Sequence, residues 1–273
     1  MSLATVLFLF LAHLGVGIAF TIVFVSRDAG VKFFRFNAGL AAILIGVALA
    51  FRYGLLGPVE IVNSPTERLA VLALDAAEAA LVLYWATVGR ALATVRPAIV
   101  SIGVGGGVLA VVLQALVVSA DRSLPVQALT LASFLSSAAL LGGACTAMTL
   151  GHWYLIIPSM QVSHLQSIVK MHIASMVVRV AVVAVAVCFA IATWQPGLGP
   201  SFRHYIMSVD GIFFWQRVLF GLAGPAVLSY LTWETAKIRA TQSATGILYV
   251  DFFTVVVGEV LATYIVLATH VPV

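Results

Sequence analysis

Long apolar runs constrain the fold of this chain more than any other feature. The first run, LATVLFLFLAHLGVGIAFTIVFVS, covers residues 3–26 and contains no Asp, Glu, Lys or Arg. A helix needs about 20 apolar residues to cross roughly 30 Å of hydrocarbon, whereas the strands of a membrane barrel are short and alternate in polarity. Runs of this length therefore predict membrane-spanning helices.

The sequence predicts eight such spans, at residues 3–26, 37–54, 68–92, 97–119, 126–151, 171–194, 212–236 and 244–269. Only 9% of the 273 residues are charged, compared with about 25% in soluble domains. The connections are too short to hold a soluble domain of about 50 residues. We expect an all-α, polytopic helical bundle with a single transmembrane domain, 1–273, whose spans divide four and four between 1–120 and 125–273.

The distribution of basic residues predicts the orientation, because cytoplasmic loops carry an excess of Lys and Arg. The connections after odd-numbered spans carry eight basic residues: Arg27, Lys32, Arg35, Arg90, Arg96, Lys170, Lys237 and Arg239. The connections on the opposite side carry four: Arg52, Arg68, Arg122 and Arg203. This difference predicts that both termini lie outside, in a bacterial inner (cytoplasmic) membrane.

Ionisable residues inside the spans can be placed by depth, since a helix rises 1.5 Å per residue. Matching depths predict two ion pairs, Asp75 with Arg217 and Arg179 with Asp251. Paired charges of this kind are usually structural.

Three further groups, His13, Glu78 and Glu259, fall near the middle of the membrane at a level where no Lys or Arg is expected. A carboxyl group in hydrocarbon either takes up a proton or finds a partner. We expect these three residues to transfer protons, or else the two carboxyls to form neutral hydrogen bonds between helices.

Polar rings and a carboxylate collect at the predicted cytoplasmic ends of two spans. His152, Trp153 and Tyr154 end the fifth span, and Trp233 and Glu234 end the seventh. A quinone needs an apolar slot with one or two hydrogen-bonding or proton-exchanging groups, and these residues could supply them. The alternative is an aromatic belt, since Trp and Tyr accumulate at membrane interfaces for amphipathic reasons alone.

A haem inside a helical bundle needs axial ligands, usually His, at similar depth. Only His152 and His172 are expected to lie near one level, so haem b is a weaker alternative to quinone. The two cysteines, Cys145 and Cys188, lie in apolar runs without a CxxC motif, and no metal site is predicted.

Two other classes of function remain open. An ion-coupled small-molecule transporter would use the helix break at Gly224-Pro225 together with Glu78 and Glu259. A membrane anchor or scaffold would bind partner subunits without any chemistry of its own.

In size, number of spans and shortness of loops, the chain resembles the quinol-interacting membrane subunits of bacterial respiratory oxidoreductases, such as the polysulfide reductase class. The resemblance rests on architecture and transfers no residue roles. It implies a quinone-binding, proton-conducting subunit of a respiratory or photosynthetic electron-transfer complex. The expected partners are membrane lipids and other subunits, including a redox partner, with no nucleic acid.

Overall fold

The computed structural model confirms the all-α bundle. It describes residues 2–57, 59, 64–157, 161–195 and 201–273, and within these ranges every regular element is helical. Eight helical segments are long and apolar enough to cross a membrane, so the chain is a multi-pass membrane protein.

The long helices are α1 (Leu3–Thr21), α2 (Gly30–Arg52), α3 (Pro65–Thr87), α4 (Arg96–Val118), α5 (Leu124–Ile156) and α6 (Val162–Ala192). A short helix, α7 (Phe202–Met207), precedes the seventh span. That span consists of α8 (Ile212–Val218), a π-helical turn (Leu219–Ala223) and α9 (Gly224–Lys237). The last span is α10 (Thr241–Thr269).

Helices α1, α5 and α10 pack against one another and form the centre of the bundle. Glycines allow α1 and α5 to touch, because a Cβ atom on Gly17 would lie only 2.0 Å from the Ala138 carbonyl oxygen. In lipid, no hydrophobic effect drives helices together, so close packing of this kind contributes much of the stability of the bundle. Thr21 adds polar contacts at the same interface, with its hydroxyl 2.6 Å from that of Thr146.

The seventh span is irregular just before the Gly224-Pro225 step, where the sequence predicts a kink. Proline removes a backbone donor and crowds the carbonyl one turn earlier, and the π-helical turn occupies that preceding turn. Within the turn, the Gly221 backbone rests on Gly258 of α10, where an added Cβ on Gly258 would come within 2.1 Å of the Gly221 Cα. This contact brings the seventh span against the middle of α10.

Helices α5 and α6 extend further than the apolar runs indicate. The predicted ends were residues 151 and 171, whereas α5 continues to Ile156 and α6 begins at Val162. Hydropathy marks the part of a helix that lies in hydrocarbon, and a helix can continue past it. Pro158, at which the sequence also predicts that the fifth helix stops, lies outside the described residues.

Candidate functional site

A carboxylate held by two arginines lies at the centre of the bundle. Glu259 of α10 accepts two hydrogen bonds from Arg179 of α6, from Nε at 3.1 Å and from Nη2 at 2.8 Å. Arg217 of α8 donates a third from Nη2, also at 2.8 Å. All three side chains are at most 1% exposed. We call Arg179, Glu259 and Arg217 the charge cluster.

Arg179 has a partner for every one of its donors. Besides Glu259, its Nη1 donates to the carbonyl and hydroxyl oxygens of Ser133, and its Nη2 donates to the Val273 carbonyl. A guanidinium presents five N–H donors in a fixed fork, and this environment matches that fork. The geometry therefore holds Arg179 rigidly beside Glu259.

Arg217 is less completely bonded. Its Nε and Nη1 have no hydrogen-bond partner among the described residues, although the side chain is fully buried. Its Nη1 instead lies over Gly221, where an added Cβ would approach it to 2.2 Å. The π-helical turn and the charge cluster are thus in direct contact.

The ion pairs predicted from depth are wrong. Arg217 pairs with Glu259 and not with Asp75, and Arg179 also pairs with Glu259 and not with Asp251. The expectation that no Lys or Arg lies level with Glu259 is wrong for the same reason. The predicted start of the sixth span, residue 171, lies nine residues after the observed start of α6 at Val162, so depths measured from it are wrong. In addition, depth does not specify which side of a helix a residue occupies.

A second buried pair lies two helical turns from the charge cluster. His172 of α6 places Nε2 2.7 Å from Asp251 Oδ2 of α10, and neither side chain is exposed. His172 and Arg179 are seven residues apart, about 10 Å along one face of α6. Helices α6 and α10 therefore meet through buried polar pairs at two successive levels, His172 with Asp251 and Arg179 with Glu259.

His13 of α1 lies on the other side of the charge cluster. Its ring packs edge-on against Phe134 at 4.8 Å between centroids. His13, Ser137 and Arg179 line one cavity of about 10 Å³, which is about the space that one water occupies. A single water could therefore bridge His13 to the cluster.

Gln114 of α4 lies beside His13. The Gln114 amide is close enough to His13 to interact with its ring, but neither His13 Nε2 nor either amide atom of Gln114 forms a hydrogen bond of normal geometry with a described residue. Gln114 in turn lines a much larger cavity of about 410 Å³.

We call this larger cavity the vestibule. It lies where α1 and α3 begin and where α2, α4 and α10 end. Its polar lining comprises Thr5, Arg52, Glu67, Gln114 and His270, and its apolar walls include Phe8, Leu9, Val71, Val117, Val118 and Leu267. At its rim, Arg52 and Glu67 form an ion pair at 3.2 Å.

Glu78 lies apart from this arrangement, at the contact between α2 and α3. Its Oε1 faces Gly46, 3.5 Å from where a Cβ would be, and its Oε2 has no partner among the described residues. On the same helix, Asp75 accepts a 2.7 Å hydrogen bond from Tyr53, which raises the pKa of the Tyr53 phenol. The small cavity thus places His13 near Arg179, the partner of Glu259, whereas Glu78 lies elsewhere.

The three rings at the end of α5 point in different directions. Trp153 donates to the Ala29 carbonyl at 3.1 Å, and the Tyr154 hydroxyl bonds to the Gln161 carbonyl. His152 is exposed and lies 3.0 Å from the Tyr249 hydroxyl of α10. Trp153 and Tyr154 therefore tie α5 to neighbouring segments, and His152 faces outward.

Trp233 and Glu234 are engaged with lysines at the end of α9. Lys170 and Lys237 lie 5.1 and 5.3 Å from the Trp233 ring, and Lys237 also forms a 2.6 Å ion pair with Glu234. The contacts of these residues are separate from the contact between His152 and Tyr249.

His152 and His172, the alternative haem ligands, lie at different levels. His172 is level with Gly143 of α5, whose added Cβ would be 3.3 Å from its Nδ1. His152 is nine residues further along α5, about 13 Å. Among the described residues, no group of three or more His, Cys, Asp or Glu side chains could hold a metal ion.

No family model matches this sequence, and no curated protein matches it.

Sequence reasoning missed the roles of Gln114 and Ser133 in the central arrangement, and it missed the pairing of His172 with Asp251. Gln114 and Ser133 are ordinary polar residues in apolar helices, and nothing in their spacing distinguishes them. The pairing of His172 with Asp251 could have been inferred from spacing. His172 and Arg179 are seven residues apart on one helix, and Asp251 and Glu259 are eight residues apart on another. Similar intervals between ionisable residues on two helices indicate that these residues face each other.

Proposed function

We propose that this protein is a membrane subunit that conducts protons, with the vestibule as the entrance and the charge cluster as the fixed centre of the path. The supporting observation is the series of polar groups from Gln114 through His13 to Arg179, which begins in a 410 Å³ cavity and ends in the buried middle of the bundle. Intramembrane ionisable residues commonly mark proton or ion pathways.

In this proposal the charge cluster and the histidines have different roles. Glu259 is held by two guanidiniums, so the cluster acts as a stationary group of charges that orients water and sets the local potential. His13 and His172 pass protons along, since an imidazole has two ring nitrogens and can accept a proton on one while it releases a proton from the other. Asp251, 2.7 Å from His172, continues the series toward the opposite face of the membrane.

Proton flux into liposomes tests this function. Purified protein is reconstituted with a trapped pH-sensitive dye, and a potassium gradient with valinomycin drives the flux. We expect the wild type to conduct and His13→Phe to fall to the level of empty liposomes, since the ring still packs against Phe134 but carries no proton. His204→Phe, the same change at an exposed position, is the control. A conducting His13→Phe variant, or a silent wild type, would rule out the proposal.

A second candidate function is quinone binding in an electron-transfer assembly, and one contact favours it. His152 and Tyr249 form a hydrogen-bonded pair on the outward face of α5 and α10, next to exposed Leu155 and Ile156. A quinone arriving from the lipid would meet two hydrogen-bonding groups in an apolar setting.

Binding of a radiolabelled short-chain quinone in nanodiscs tests this second candidate. We expect Tyr249→Phe to weaken binding about tenfold, the cost of one hydrogen bond. Tyr230→Phe, a matched change at another exposed tyrosine, should leave it unchanged. Equal binding by both variants would exclude the pair as the site. A reduced-minus-oxidised visible spectrum of the same preparation would show whether haem is retained.

We also propose that the protein lies in a bacterial inner membrane with both termini outside, as the excess of basic residues indicates. Labelling with a membrane-impermeant thiol reagent tests this orientation in a Cys188→Ser background. Val209→Cys, at a 90% exposed position before α8, should react in intact cells. Ile238→Cys, 76% exposed after α9, should react only after permeabilisation. The reverse pattern would invert the orientation.

A further inference from the structure

The Gln114 amide at the floor of the vestibule is a polar group that could form hydrogen bonds to a ligand. Gln114 is 5% exposed and lies beside His13, and neither its amide nitrogen nor its amide oxygen forms a hydrogen bond of normal geometry with a described residue. A buried amide without partners is costly, so such a group is normally satisfied by protein, water or a bound molecule. Gln114 offers a donor and an acceptor side by side.

The charges of the described residues that line the vestibule cancel. Arg52 and Glu67 form an ion pair at the rim, with side chains 14% and 11% exposed. Among the described lining residues, the remaining titratable group is His270, and its pKa is lowered below the usual 6.5 by burial and then by the positive charge of Arg122. At neutral pH these residues therefore contribute no net charge, which favours an uncharged ligand.

The remaining walls are apolar, and the size suits a small molecule. Phe8, Leu9 and Leu267 contribute to walls that enclose about 410 Å³. Small-molecule sites have volumes of about 300–1,000 Å³, with mostly apolar walls and a few polar groups that fix orientation. A matching ligand has an apolar body and a head that presents a hydrogen-bond acceptor beside a donor, as a primary amide does.

We propose that the vestibule binds an uncharged, lipid-like molecule through Gln114 and that the bound molecule closes the proton path. The closure follows from position, because Gln114 lines the vestibule and lies beside His13. The closing role rests on the proposed function, whereas the binding does not.

Equilibrium dialysis of radiolabelled decanamide against nanodiscs tests the binding, with empty nanodiscs subtracted. We expect saturable binding of one molecule per chain, about tenfold weaker for decanoate, which has the same length but carries a charge. Gln114→Leu should weaken decanamide binding by about the same factor, and Val118→Trp should abolish it by filling the cavity.

The control is Gln216→Leu, the same substitution on the exposed face of α8, which should bind decanamide as the wild type does. Binding no greater than that of empty nanodiscs, or binding unchanged in both Gln114→Leu and Val118→Trp, would overturn the assignment of the site.

The closing role is tested by adding decanamide to wild-type proteoliposomes, where a saturating concentration should reduce proton flux to the level of empty liposomes. Saturable binding with undiminished flux would overturn the closing role. The two proposals fail separately, because a silent wild type would contradict proton conduction while the dialysis would still report on the site.

Discussion

At the scale of single residues, the feature that most needs explanation is a carboxylate shared by two arginines in a membrane bundle. Bringing charges out of water is expensive, and only close geometry with further hydrogen bonds offsets that cost. Arg179 meets this condition fully, while Arg217 makes one charged contact and leaves two nitrogens without partners among the described residues. Such an incomplete network favours a functional role over a purely stabilising one.

Glu259→Gln should destabilise the protein by about 3–5 kcal/mol, because it leaves two buried guanidiniums without their counter-charge. Denaturant unfolding in mixed micelles measures the free energy of unfolding. The matched control is Glu78→Gln, whose carboxylate is not in an ion pair with any described residue and whose loss should cost less than about 1 kcal/mol. Equal effects of the two changes would contradict the assignment of Glu259 as the central counter-charge.

His270 should titrate below pH 6.5 in the folded protein, since burial and then Arg122 disfavour its charged form. The folded state then binds fewer protons than the unfolded state around this pH, so stability declines as the pH falls through about 6.5. Histidine side-chain NMR measures the midpoint. Arg122→Gln should raise it, and a midpoint that stays in place would show that Arg122 does not act on His270.

At the scale of helices, glycine contacts decide how close the charged side chains can come. Gly221 and Gly258 allow the backbone of the seventh span to pack directly against α10. Gly258 is the residue immediately before Glu259. The π-helical turn lies between Arg217 and Pro225, and turns of this kind often occur at functional sites. The contact at Gly221 therefore positions Arg217.

Gly221→Ala should destabilise the protein by about 1–3 kcal/mol, because the new methyl would lie 2.2 Å from Arg217 Nη1 and 2.6 Å from the Gly258 Cα. Gly246→Ala in α10 is the control, since no heavy atom lies within 4 Å of its added Cβ. That change should be neutral or stabilising by up to about 1 kcal/mol. Similar unfolding free energies for the two variants would show that the helices do not touch at Gly221.

The spans could be predicted from sequence because hydropathy is a local property. Pairing could not be predicted in the same way, because it depends on helix rotation and packing. Asp75 and Arg217 match in depth, yet Asp75 bonds to Tyr53 and Arg217 to Glu259. Similarly, His152 and Tyr154 are only two residues apart in sequence, but each step along a helix rotates the side chain by about 100°. The two side chains therefore contact different helices, α10 and α6.

At the scale of the whole molecule, the two ends of the bundle differ in construction. At the end with the vestibule, a wide cavity narrows to Gln114, His13 and a space for one water beside Arg179. Toward the other end, the described polar contacts are close side-chain pairs such as His172 with Asp251. We therefore expect water to enter easily from the vestibule side and protons to pass between side chains beyond the charge cluster.

A bulky label on the wall of the vestibule would show whether protons enter the bundle there. Val118→Cys, in a Cys188→Ser background, places a thiol in the vestibule wall, where a bulky sulfonate-bearing reagent can be attached before proton flux is measured in proteoliposomes. Val209→Cys, labelled in the same way at an exposed position, controls for the reagent. We predict that labelled Val118→Cys loses proton flux while labelled Val209→Cys keeps it. Full flux through a completely labelled Val118→Cys protein would contradict a proton path that begins in the vestibule.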